Sequence, residues 1–179
     1  ASIYTVDSSV LNVKAGKNLF VTSSDTFTPG NNVNAGSGVT IQGTYSAGST
    51  TLTLSGNFLK TSAATFTAGT STVALDGGTQ TVSGSTTFYN LSKTVTAAAT
   101  MTFAATATQT VSNALTLQGA ASNLLTLGSS LNGAQWKIDP QGTRTISYVS
   151  VSDSNNTNAT AIDCTSSNCT EGERRPEWP

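Results

Sequence analysis

The 179-residue chain predicts an all-β fold, a three-sided parallel β-helix of about seven rungs of 20–22 residues. The first observation behind this is a beat. Val13, Val33, Leu54, Leu75, Val95, Leu117 and Ile138 follow one another at gaps of 20, 21, 21, 20, 22 and 21 residues. The second is local: each sits in a run alternating apolar with polar, as in Thr51-Leu52-Thr53-Leu54, the pattern of a half-buried strand. The third is composition. There are 33 Thr and 24 Ser, only 9% of residues are charged, and no Glu precedes Glu171. Thr suits a pleated, half-buried surface and Ser suits turns, whereas helix formers are scarce.

Two further tracks keep the same period. One runs through Val21, Ile41, Val82, Phe103, Leu124 and Ile146, with Leu59 near its missed beat. The other reads Phe27, Phe66, Phe88, Val111, Leu131 and Val151, with Tyr45 or Ala47 filling its gap. Three strands per coil, each of about three to five residues, make a three-sided helix in which one apolar residue per face stacks from rung to rung. Turn residues fall between the tracks at Pro29-Gly30-Asn31-Asn32, Ala47-Gly48-Ser49, Asp76-Gly77-Gly78 and Pro140-Gln141-Gly142. Right-handed winding is the default for parallel crossovers. An antiparallel sandwich also has short, regularly spaced strands, but it has no reason to hold one spacing on three faces.

The chain divides into residues 1–9, a strand that acts as cap or inter-subunit contact, a solenoid at 10–152, and a C-terminal cap and tail at 153–179. Ile3-Tyr4-Thr5-Val6 reads as a strand outside the three tracks. A solenoid exposes unpaired backbone at both ends, so these segments either cap it or join it to a neighbour. Ile3, Tyr4, Thr5, Val6 and Trp178 are the candidate assembly contacts. Because the two ends differ, strand addition between copies is head-to-tail and propagates as a filament. Cys164 and Cys169, the only cysteines, are expected to close a small disulfide loop in an oxidising, extracytoplasmic compartment.

The second half resembles a known class of stretches. Thr79-Gln80-Thr81-Val82-Ser83-Gly84, Phe88-Tyr89-Asn90-Leu91, Leu115-Thr116-Leu117, Trp136-Lys137-Ile138 and Tyr148-Val149-Ser150-Val151-Ser152-Asp153-Ser154 carry the resemblance, over roughly residues 70 to 165. They are similar to parallel β-helix stretches of bacterial secreted and surface-anchored adhesin-like proteins. The resemblance implies an extracellular, structural or adhesive setting and brings no catalytic residues.

Chemistry-bearing residues are sparse. With no His, a Ser or Cys nucleophile lacks its usual base, and two thiols fall short of a four-ligand metal site. Asp76 and Asp139 read as neighbours on one track three rungs apart, about 14 Å, too far for a paired-carboxylate glycosidase. Asp153 and Asp163 lie in the terminal region. Lys14, Lys17, Lys60, Lys93 and Lys137 are spread singly and read as solvated charges that discourage edge pairing. A net charge of −1 offers nucleic acid no electrostatic footprint, and no apolar run reaches the length of a membrane span, about 20 residues. No cofactor is expected.

The expected function is therefore a non-catalytic, secreted structural or adhesive protein at the cell surface, possible partners being copies of itself or surface glycans. The alternatives are a carbohydrate-binding module using Tyr45, Tyr89 or Tyr148, then a polysaccharide-degrading enzyme. The last is an ice-binding face built on Thr51, Thr53, Thr72, Thr94, Thr96 and Thr116, which Ala74 and Lys137 interrupt.

Overall fold

The computed structural model describes residues 2–6, 8–162 and 168–171, without the side chains of 3–6 and 171. Three parallel sheets wind into a β-solenoid of about seven turns, and no helix occurs among the described residues. The first coil consists of β1 (Ile3–Val6), β2 (Leu11–Val13) and β3 (Leu19–Val21), one strand per face. The second is β4 (Thr26–Pro29), β5 (Val33–Ala35) and β6 (Gly38–Ile41), and the third β7 (Thr44–Ser46), β8 (Thr51–Leu54) and β9 (Asn57–Lys60). The fourth is β10 (Thr65–Thr67), β11 (Thr72–Leu75) and β12 (Gln80–Ser83).

The next two coils differ. Their first two strands fuse into one bent strand each, β13 (Thr86–Thr94) and β15 (Thr108–Gln118), followed by β14 (Ala99–Phe103) between them and β16 (Leu125–Ser129) after them. These strands of nine and eleven residues exceed the expected three to five. A register shift between Phe88 and Asn90 takes the corner, so no turn residues are needed there. The chain continues through β17 (Trp136–Pro140), β18 (Thr143–Ser147) and β19 (Val149–Val151), then β20 (Ser154–Asn156) and β21 (Thr170–Glu171).

Strand register shows which residues stack. On the first face one inward file runs Leu11, Val33, Leu52, Val73, Leu91, Leu115 and Arg144. Beside it, Val13, Ala35, Leu54 and Leu75 continue through Lys93 and Leu117 to Ile146. The expected track joined members of both files, because Val33 pairs with Leu11 and not with Val13. Val95 falls beyond the end of β13, and Lys93 takes its place in the stack. Ile138 lies on the third face, against Gln109.

The second face keeps the expected Val21–Ile41 and Val82–Phe103 pairs. Phe58, not Leu59, bridges Val39 to Val82. Leu125 and Leu127 are its buried residues where Leu124 was expected, and Ile146 belongs to the first face. On the third face Tyr45 does fill the missed beat, paired between Phe27 and Phe66, and Phe88 pairs with Val111. Leu131 is 61% exposed in a loop, and Val151 is on the second face. β1 is the first strand of the third face, with Tyr4 in register with Phe27, and so is not outside the tracks.

The core is one continuous apolar rod. Phe27, Tyr45, Phe66, Phe58 and Phe88 form a chain of ring contacts with centroids 5.2–5.8 Å apart. Farther along, Trp136 stacks on Phe103 at 4.1 Å, and its indole Nε1 donates to the Ser152 carbonyl at 3.0 Å. Such contacts add to area burial, and the buried Trp136 indole donor is satisfied. At the tight corners successive coils touch backbone to backbone. A Cβ on Gly56 would collide with the Ser37 carbonyl, so only glycine fits there.

Candidate functional site

The sequence-predicted residues are mostly not brought together. Asp76 is exposed at the corner after β11, whereas Asp139 projects from β17 on the third face. The two therefore do not share a track. Asp139 accepts hydrogen bonds from Asn158 Nδ2 at 2.8 Å and Gln141 Nε2 at 3.0 Å. Asp153 is buried and accepts from the Gly133 amide at 3.2 Å. Asp25 caps a turn beside the first coil: the Thr22 hydroxyl and the Ser2 amide donate to it and hold its carboxyl below the usual range. Among the described residues no three His, Cys, Asp or Glu side chains converge as a metal cage. No helix of the described chain is long and apolar enough to cross a membrane.

The candidate contact surfaces also rearrange. Tyr45 is fully buried and cannot meet a glycan, while Tyr89 sits at the bend of β13 and Tyr148 between β18 and β19. On the first face the outward rows are Thr51, Thr72 and Asn90, and Thr53, Ala74, Ser92, Thr116 and Thr145. Thr is interrupted in both. Cys169 packs half-buried against the core, but Cys164, Asp163 and Trp178 lie outside the described residues.

Two of the five lysines expected in solvent are drawn inward. Lys60 is half-buried opposite Ile41 and donates to the Ala64 carbonyl at 3.1 Å, and burial lowers its pKa. Lys93 is fully buried. Its Nζ donates to Gln80 Oε1 at 2.6 Å and to the Gly77 carbonyl at 2.5 Å. Gln80, also fully buried, turns its Nε2 to the Leu54 and Gly56 carbonyls. Burial pushes the Lys93 pKa down to about 8, opposed by the Asp76 carboxylate nearby. A shallow groove of about 260 Å³ lies beside this corner, lined by Asp76, Gly77, Gly78 and residues 94–99. Its polar side chains are the exposed Asp76 carboxylate and the Thr94 and Thr96 hydroxyls.

The ends of the rod differ more sharply than any face does. At the first coil β1, β2 and β3 each stand last in their sheet. The inward files end there in Leu11, Val13 and Leu19, only partly buried, with Val10 43% and Phe20 51% exposed beside them. At the other end several register positions are taken by polar residues, although the file that starts at Val13 ends in the buried Ile146. Arg144 follows Leu115 on the first face, and Glu171 holds the register position after Val151 on the second. Ser154 and Asn156 follow Trp136 and Ile138 on the third.

That polar end is also covered. Arg144 Nη2 donates to the Pro140 carbonyl and to Asn158 Oδ1, the latter at 3.0 Å, and Asn156 Nδ2 donates to the Thr160 carbonyl at 2.9 Å. Ile162 beyond them is fully buried. Sequence reading passed over Arg144; the available signal was an Arg where β-strand alternation calls for an apolar residue. No family model matches this chain, and no curated protein or solved structure matches it either.

Proposed function

We propose that this protein is a non-catalytic structural or adhesive component of a bacterial or archaeal cell surface, secreted and assembled through an end of its solenoid. The observation that carries the reading is the open first coil, with three edge strands and half-buried Leu11, Val13 and Leu19. Edge strands over an apolar slice are the part of a β-solenoid most disposed to add another strand. The remaining surface supports the same reading: it is dominated by hydroxyls and amides, and its carboxylates are scattered over different faces.

A head-to-tail filament remains one form of this assembly, but it sets Arg144 against apolar file ends and has to desolvate its charge further. Sizing and negative-stain imaging of the purified chain test the reading directly, and dispersed monomers at all concentrations would refute it. The extracellular setting rests on the Cys164–Cys169 pairing. Intact mass after alkylation without reductant should show no labelled thiol, and two labels would argue for a reducing compartment.

A further inference from the structure

The two ends of the rod are chemically unlike, and this asymmetry selects a mode of assembly. We infer that two copies of this chain join first coil to first coil, as a closed two-fold dimer, while the polar last coil stops growth. The inference rests on the structural reading above and specifies its partner and its geometry.

Three observations lead there. Leu11, Val13 and Leu19 need an apolar cover, and within this chain the matching apolar, open end is the first coil of a second copy. The opposite end is poorly matched to them, since Arg144 and Asn156 are engaged in hydrogen bonds of its own cap and Ser154 and Asn156 take the register positions after Trp136 and Ile138. Position also fits: β1, β2 and β3 each stand last in their sheet, so all three edges are presented at the same end.

The backbone is ready for the contact. The Leu11 amide donates to the Asn32 carbonyl at 3.0 Å, and the Gly36 amide to the Val13 carbonyl at 3.0 Å. Alternate residues of a parallel strand bond to the same neighbour, so the amide and carbonyl of Asn12 between them point away from β5. Two first coils facing each other about a two-fold axis bring strands together running in opposite directions. Antiparallel pairing then continues each ladder across the interface, and the isologous contact closes on itself. Lys14 and Lys17 at the first corner stay on the rim, exposed.

Analytical ultracentrifugation of the full chain tests this, with imaging of the same samples. The expected result is a monomer–dimer equilibrium, with rods of about twice the single length of about 33 Å. Two variants probe the end without touching the inner core. Val10→Glu places a charge beside the apolar slice, and Asn12→Pro removes one outward amide of β2. Each should weaken the dimer about tenfold or more, since a two-fold contact loses every interaction twice. Their circular dichroism spectra should match the parent's. Filaments would overturn the closed dimer and leave the assembly reading standing, whereas monomers alone would overturn both. A dimer indifferent to both variants would overturn the placement at the first coil.

Discussion

Lys93 Nζ lies 2.6 Å from Gln80 Oε1 inside the solenoid, in a file otherwise made of Val13, Ala35, Leu54, Leu75, Leu117 and Ile146. A buried charge persists only when its donors are met by acceptors, and here Gln80 and the Gly77 carbonyl meet two of them. Gln80 in turn secures the carbonyls of Leu54 and Gly56, so one network stitches the corners of successive coils.

Alkaline pH should therefore strengthen the fold. The Lys93 pKa is about 8 when folded, against 10.5 for an ordinary lysine, so between these limits the unfolded chain binds more protons. The cost of burying the ammonium is fully present below about pH 8 and fades as pH rises toward 10.5. Melting temperature should climb over that window, and in Lys93→Met the climb should vanish. The same variant strands the Gln80 and Gly77 acceptors, and at pH 7 it should lose about 1–3 kcal/mol in urea melts.

Tyr45 should set the upper limit of that climb. Its hydroxyl is buried without a partner, and burial raises its pKa above the ordinary tyrosine value of 10.0. Above pH 10 the unfolded state releases this proton first, which favours unfolding. Tyr45→Phe keeps the ring contacts with Phe27 and Phe66 while removing the orphaned oxygen. We expect unchanged or higher stability, by up to about 1 kcal/mol, and a weaker decline above pH 10 by thermal melts.

Gly56→Ala should be far more damaging than its one methyl suggests. The added Cβ meets the Ser37 carbonyl, a backbone atom that cannot swing aside as a flexible side chain would. Separating two coils at this corner should cost about 3 kcal/mol or more, read as a lowered urea midpoint. By contrast Gly78→Ala, where a Cβ meets nothing, should leave the midpoint nearly unchanged.

Arg144→Leu should convert the closed end into a second open one. It removes the hydrogen bonds to Asn158 and the Pro140 carbonyl and extends the apolar file from Leu115 by one residue. Faster amide exchange over residues 154–162 is expected, together with concentration-dependent growth beyond the parent's assembly size in light scattering. Unchanged exchange there would show that Arg144 does not hold the cap.

Period and alternation were enough for an all-β parallel solenoid of about seven turns, because every coil must place apolar residues on each face or leave the core unfilled. Local pairs such as Val82 with Phe103, or Tyr45 between Phe27 and Phe66, were legible for the same reason. The spacing could not say how many residues each corner consumes. The bulge after Phe88 and the Pro140-Gln141-Gly142 turn shift the files by a residue or more, so Val95 kept the count while Lys93 took the buried place. Burial of Lys93 and termination by Arg144 follow from three-dimensional register, in which a residue meets partners some twenty positions away. Register is also what put half-buried Leu11, Val13 and Leu19 at one end of the rod and Arg144, Ser154 and Asn156 at the other.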